Sequence, residues 1–493
     1  PCLETLKPWV DEIVVVDTGS QDATPDICEE LGARVFHWPW RDDFAAARNE
    51  SIDHARGEWI FWMDSDDTLP EHCGRQLREL VDGPHPDEMM GYVAQVHCPG
   101  KEPSDITAVD HVKLFRNRPD LRFEFRIHEQ IIPSIRRAQG EVGWTGIYVV
   151  HSGSDQSQQG RARKLTRDFR LLEKELNDRP EHPFVLFNLG MTHADAGQYE
   201  LAVDYLTRCI NVSGQAESHL CKAYALLVNA LSQLDRRQQA WEIVKDGLKL
   251  FPDNKELLFR LALLDHQFER YQEAAHTYHR ILDEETERSF TSVDQGIASF
   301  KARHNLAVVY EDWDRFPEAE NQWRILTSEH QEYFPGWRGL GENLLSQNKS
   351  KKLRQLLQGV QSRNDLQSLI HYFEGKLAIL SEEYDQAKLH YELGLQIDQN
   401  NIPLLNEICR WHFECGNPID SEHYLQRLIS VNPDDPASFA NLGVVLMQQG
   451  KYETAAHAFA ESLKYRPDRP DVVQNLEYCQ KHSSQKISAT NGN

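Results

Sequence analysis

The sequence has no apolar run near the ~18–20 residues that cross a bilayer, and no segment of it reads as an integral membrane span. No basic stretch followed by a short apolar one opens the chain, so a secretory leader is not expected. Its nine cysteines (Cys2, Cys28, Cys73, Cys98, Cys209, Cys221, Cys409, Cys415, Cys479) are odd in number, scattered and without a Cys-x-x-Cys pair. That spacing argues against a disulfide framework or a zinc ribbon and for cytoplasmic thiols that mostly fill core space. The expected location is the cytoplasm, with peripheral association at the inner face of a membrane left open. Basic residues are few: 53 Lys and Arg stand against 77 Asp and Glu, a net charge of −24. Nucleic acid is therefore not expected as a partner, because phosphate binding wants a basic surface. One local basic pocket remains compatible with that balance. No Gly-rich phosphate loop is present either, which weighs against other nucleotide-using enzymes on a similar sheet.

What is there is long and of two textures. A chain of 493 residues exceeds a single core, so two or more domains are expected. Residues 1 to about 160 alternate strand-like and helix-like segments. Ile13–Asp17 is a β-branched run that stops at an acid and a Gly-Ser turn. Asp22–Leu31 and Asp43–Ala55 read as helices, Arg34–His37 as a short strand, and Glu58–Met63 as an apolar strand ending at Asp64-Ser65-Asp66-Asp67. Apolar strands alternating with helices predict a parallel sheet covered on both faces, with ligands beyond the carboxyl ends of its strands. Both acidic turns fall at that edge. The more broken strands Gly91–His97, His111–Arg116 and Ile147–His151 are expected at a mixed-sheet edge.

Asp64 and Asp66 carry the chemistry in this reading. Two carboxylates one residue apart, just after a buried strand, can hold a hard divalent ion that bridges phosphate oxygens. Asp-x-Asp alone is common by chance and reads equally as a solvated turn. Its position after one apolar strand, downstream of Asp17-Thr18-Gly19-Ser20 after another, favours the chemical reading.

The segments VDEIVVVDTGSQDAT and RDDFAAARNESIDHARGEWIFWMDSDD resemble the nucleotide-binding half of family 2 glycosyltransferases. More closely, they are similar to the subgroup with Asp-Thr-Gly-Ser, which often carries tetratricopeptide repeats. The resemblance covers residues 1 to about 155 and implies an α/β GT-A (Rossmann-like) domain of inverting, metal-dependent hexosyltransferase type. It implies donor contacts from Asp17, from Thr18 in place of a second acid, from Arg48 near the diphosphate and from Asp64 near the ribose. It implies metal ligation by Asp66, Asp64 and His151, with Mg²⁺ or Mn²⁺ as the divalent cation, and a probe donor of the UDP-sugar class. Asp67 is a secondary acid or a helix cap. In Ile127-His128-Glu129-Gln130, Glu129 matches the acceptor-activating base, and His128 orients it or contacts phosphate. Glu129 as a helix start, and His151 as a structural strand-end residue, are the plain alternatives. The family's first strand is absent from this sequence, which reads as an N-terminally truncated fragment that loses donor binding if that strand is required.

From Pro183 onward, apolar and small residues recur at about 34 residues, the tetratricopeptide spacing. Leu186, Leu189, Gly190, Ala202 and Leu206 make one unit, and Phe439, Leu442, Gly443, Ala455, Phe459 and Pro467 the last. Small residues at the eighth and twentieth positions let paired helices approach, and Pro ends the second helix. The expected organisation is a transferase domain over 1–158, a linker helix over 159–182 and an all-α tetratricopeptide superhelix over 183–469. A capping helix and tail over 470–493, disordered from Lys486, complete it. About eight repeats are expected, the one ending in Lys349–Gln361 degenerate, with an insertion near Glu284–Ser299. A repeat groove suits a peptide or protein partner. Asn188, Asn305 and Asn441 share a repeat position expected to line it, either to bond a peptide backbone or merely as a usual repeat residue. The function expected is sugar transfer from a nucleotide-sugar donor to a peptide, protein or cell-envelope glycan that the repeats recruit. The alternative is a non-catalytic repeat scaffold with a remnant transferase domain.

Overall fold

The computed structural model describes residues 1–99, 106–153, 157–215, 217–283, 293–294 and 296–490. They form two compact units, Pro1–Tyr333 and Phe334–Asn493. The first unit opens with α1 (Cys2–Leu6), β1 (Val14–Asp17), α2 (Thr24–Glu30), β2 (Arg34–His37) and α3 (Phe44–His54). It continues with β3 (Trp59–Phe61), β4 (Asp67–Thr68), α4 (Glu71–Asp82), β5 (Met89–Pro99), β6 (Ile106–Arg116), α5 (Ile132–Arg137) and β7 (Glu141–His151).

The parallel sheet expected for the first strands forms only as the β1–β2 pair. β1 and β2 pair in parallel as a two-stranded sheet. A separate mixed sheet runs β3-β6-β5-β7-β4, and only the β5–β7 pair in it is parallel. The strands expected at the edge are its centre. Met90 and Val93 of β5 pack with Ala45 and Ile52 of α3 on one face. Ala94 and Val96 pack with Cys73 and Leu77 of α4 on the other. A strand buried on both faces belongs in the middle of a layered α/β domain. Its hydrophobic pattern looks broken because β5 shifts register against β6 between Tyr92 and Val93, and such an irregularity interrupts the two-residue period.

A 21-residue helix, α6 (Gln158–Asp178), leads into the first repeat pair, α7 (Pro183–Asp195) and α8 (Tyr199–Val212). Three more pairs complete this unit: Leu220–Gln233 with Arg237–Leu250, Lys255–Gln267 with Tyr271–Asp283, and Ala302–Asp312 with Phe316–Glu329. The insertion expected near Glu284–Ser299 lies partly outside the described residues, but its strand β8 (Val293–Asp294) is described. β8 pairs with Thr107 and Ala108 of β6, so the insertion reaches back to the sheet rather than only separating repeats.

The second unit holds four pairs: Phe334–Ser346 with Ser350–Gly359, Gln367–Leu380 with Tyr384–Ile397, Ile402–Glu414 with Pro418–Val431, and Pro436–Gln448 with Tyr452–Tyr465. The degenerate segment still folds, as a ten-residue helix anchored by buried Leu353 and Leu357. The closing helix, Pro470–Thr490, runs through the segment expected to be a disordered tail from Lys486; residues 491–493 lie outside the described residues. Among the described residues no helix is long and apolar enough to cross a membrane.

Close approach within the pairs explains the small residues. A Cβ on Gly375 would sit 2.3 Å from the Tyr391 ring, and one on Gly443 would sit 2.6 Å from the Phe459 ring. Both aromatics are almost wholly buried, so neither ring has space to withdraw. Gly375→Ala should therefore cost about 1–3 kcal/mol of the second unit's stability through overpacking, read as a lower denaturation midpoint with an unchanged slope.

Candidate functional site

The acidic turn is built around a residue that never reaches solvent. Asp67 is 0% exposed and Lys113 is equally buried. Lys113 Nζ donates to Asp67 Oδ2 at 2.6 Å, and the same oxygen accepts the Asp64 backbone N–H at 3.1 Å. Asp67 Oδ1 accepts from His151 Nδ1 at 2.9 Å. Asp67 also pairs with His151 across the β4–β7 ladder, so backbone and side chain agree on the geometry. Lys113 lies 4.0 Å from the centre of the Trp62 ring. Asp67 is thus an interior counter-ion, and not a helix cap, since Pro70 stands at the start of α4.

That core leaves Asp64, Asp66 and His151 around one turn. Donor atoms of Asp64, Asp67 and His151 lie within 4.8 Å of one another. Asp67 is already engaged by Lys113, the Asp64 amide and His151, so its oxygens do not face an ion. Asp66 lies outside that set; its Oδ1 is 3.5 Å from His151 Nδ1, and Ser152 donates to its backbone carbonyl through N–H and hydroxyl. Donating Nδ1–H to Asp67 leaves His151 Nε2 as the lone-pair nitrogen. Two carboxylates and an imidazole on a rigid turn fit a hard divalent ion.

Arg48 ties this turn to the predicted base. Asp43 caps α3 by accepting the Ala46 N–H at 2.8 Å, and buried Ala45 and Ile52 seat the helix. The guanidinium donates through Nη2 to Asp64 Oδ1 at 2.6 Å and through Nε to Glu129 Oε1. Its centre lies 4.1 Å over the Trp62 ring. Burial pushes the Asp64 carboxyl upward, but the Arg48 and Lys113 charges outweigh it and hold Asp64 below the ordinary carboxylate range. Burial, with Lys113 adding, pushes His111 down to about 4. Arg48, expected near the donor diphosphate, stands between these two carboxylates. His128 is half-buried, with its shielded Nε2 unpartnered and a left-handed φ of 55°, and desolvation lowers its pKa.

Asp17 and Thr18 stand at the end of β1, apart from this network. The Asp17 carboxylate accepts the Ser20 N–H at 3.1 Å and the Gly19 N–H at 3.2 Å, and His37 Nδ1 lies 3.4 Å away. Bonding to Ser20 keeps its carboxyl below the usual range. Among the described residues neither Asp17 nor Thr18 bonds to Asp64, Arg48 or Glu129. Sequence reasoning missed Lys113 and His111. The signal was available: a lysine inside the apolar run His111–Phe115 requires a buried partner.

A second concavity, in the repeats of the second unit, has a volume of about 340 Å³ and includes Asn406, Glu407, Arg410, Phe413 and Asn441 in its walls. Of the three asparagines singled out by position, Asn441 is exposed there. Asn188 and Asn305 turn inward along their own helices, donating to the carbonyls of Phe184 and Lys301. The groove-lining expectation therefore fails for Asn188, which is buried.

Comparison with known proteins follows the same division. Residues 1–127 match the family described as glycosyl transferase family 2, and residues 185–215 and 412–471 match tetratricopeptide repeats. The chain thus carries an N-terminal segment that matches family 2 glycosyltransferases, followed by segments that match tetratricopeptide repeats. A TPR repeat-containing protein of Synechococcus elongatus is 32% identical over 249 residues, covering 48% of this chain and 58% of its own. The SPbeta prophage-derived glycosyltransferase SunS of Bacillus subtilis is 27% identical over 247 residues, covering 47% and 55%. A putative glycosyltransferase of Bacillus subtilis, EpsH, is 41% identical over 90 residues, covering 16% and 26%. The matched stretch spans little more than half of the first two relatives.

Removing one partner of the buried pair should be severe. Lys113→Met leaves Asp67 uncompensated and is expected to cost about 3–5 kcal/mol, whereas Lys113→Met with Asp67→Leu should recover most of it. Urea denaturation of both variants, with the m-value checked, measures the difference.

Proposed function

We propose that this chain transfers a sugar from a nucleotide-sugar donor, of the UDP class, to an acceptor with inversion and with a divalent cation. The observation that carries the reading is the Arg48 bridge, which puts the Asp64–Asp66 turn and Glu129 at one site within a domain that matches family 2. Asp64, Asp66 and His151 hold the ion, Mg²⁺ or Mn²⁺. When bound, the ion supplies positive charge against the departing diphosphate. Asp17 and Thr18 form the base and ribose side of the donor site.

Glu129 is the base. Arg48 holds its Oε1, and among the described residues no hydrogen bond goes to Oε2, which is the oxygen that takes the proton of an acceptor hydroxyl or thiol. His128, next to Glu129 in the loop, orients it or contacts phosphate. Arg48 itself works here as a positioning group that fixes both carboxylates, using Nε and Nη2. The acceptor is a peptide, a protein or a cell-envelope glycan. The repeats recruit it or a protein partner, for which the concavity around Asn406 and Asn441 is the candidate seat. All nine cysteines are unpaired, which supports the cytoplasm or the inner face of a membrane as the place of action.

Calorimetric titration of UDP with and without Mn²⁺, on this chain and on Asp66→Ala, tests the donor site. Binding should require Mn²⁺ and weaken at least about tenfold in the variant; Mn²⁺-independent binding that ignores Asp66 overturns the reading. Glu129→Gln should lower the transfer rate about 10²–10⁴-fold while leaving UDP affinity unchanged, as measured by UDP release in the presence of acceptor.

A further inference from the structure

Glu129 sits in a loop that the sheet by itself does not hold. Residues Glu124 and Gln130 close it with reciprocal backbone bonds of 3.0 Å. Inside it, Phe125 and His128 adopt left-handed φ values of 73° and 55°. Non-glycine residues in that region cost energy and persist only when their surroundings over-determine them. The surroundings come from outside the transferase core. Phe125 and Ile127 are buried in a cluster with Leu171 and Leu172 of α6 and Val185 and Leu189 of α7. The Phe125 ring also meets Phe184 at 4.7 Å. Glu175 of α6, only 4% exposed, accepts the Arg126 backbone N–H at 2.9 Å. The Arg126 side chain pairs with Asp178 at 2.7 Å.

The same helix grips the other partner. Asp42, at a left-handed φ of 57° just before α3, accepts from Arg170 at 2.7 Å and Lys174 at 2.6 Å. A backbone bond of 2.8 Å from the Phe44 N–H to the Arg126 carbonyl joins the start of α3 to the loop. α3 carries Arg48 and the loop carries Glu129, so one helix sets the position of both members of the Arg48–Glu129 pair.

We propose that α6 and the first repeat helix are a positioning element of the transfer site, and that Glu175 is its central positioning residue. The repeats in this role hold the base in place from behind, besides any recruitment they perform. The inference rests on Glu129 as the base for its catalytic meaning; the placement itself is testable without that reading.

Hydrogen–deuterium exchange on the whole chain decides it. In Glu175→Leu, which removes the acceptor, amides of residues 124–130 should exchange at least about tenfold faster, while those of β5 and β6 keep their parent rates. Glu175→Gln keeps an acceptor oxygen and should restore the parent protection. Asp178→Asn, at an exposed position, serves if the leucine variant does not fold, with an expected acceleration of about threefold in the same residues. Unchanged exchange at 124–130, or acceleration spread evenly over the sheet, overturns the proposal, as does a glutamine variant as fast as the leucine one. UDP titration with Mn²⁺ alongside separates the two readings. Lost UDP binding in the parent strikes the proposed function only, and lost loop protection with UDP affinity kept is the expected signature of positioning.

Discussion

The site depends on one buried charge pair. Asp67 and Lys113 sit together in the interior, where either alone would be untenable. Because Asp67 is fixed by Lys113, its remaining bonds become instructions: the Asp64 N–H must turn toward it, and His151 must present Nδ1. Those two constraints set the turn and the imidazole that face solvent. Trp62 then links this interior to the rim, since its ring lies beneath both Lys113 and Arg48. Cations stacked on one ring, each neutralised by a different carboxylate, leave little freedom for the acids themselves.

Arg48 extends the order to Glu129. The consequence is a network in which the two carboxylates sharing Arg48 come from distant places in the chain, Asp64 from a strand-end turn and Glu129 from a strained loop. The loop is the weaker of them by its own backbone, and it is the one buttressed by α6 and the first repeat. Transferase domain and early repeats therefore belong to one compact unit for a physical reason, the apolar cluster around Phe125 and Ile127 together with the β8–β6 pairing. The later repeats form their own unit, built on the same glycine-to-aromatic contacts.

Much of this could be read directly from the chain. Repeat period, the two textures and the Asp-x-Asp turn are local or periodic features, and local chemistry leaves local marks. The lysine in β6 was also legible in principle, because an isolated charge within an apolar run announces a buried partner without saying which one. Strand order was not legible. β5, β6 and β7 carry irregular patterns because a register shift interrupts their period, and pairing direction is settled by contacts between distant segments.

Read alone, the chain names the available groups: an acidic turn after an apolar strand, an arginine on the helix before it, a His-Glu loop and a repeat array with small residues where helices touch. Tertiary structure alone decided how they are spent. Asp67 became an interior counter-ion rather than a ligand or cap, Arg48 a bridge between carboxylates, and Asn188 a buried intrahelical donor instead of a groove contact. Each outcome turns on burial and on which charge lies within hydrogen-bond reach. Those quantities arise from the packing of segments far apart in the chain, and spacing along the chain does not encode them.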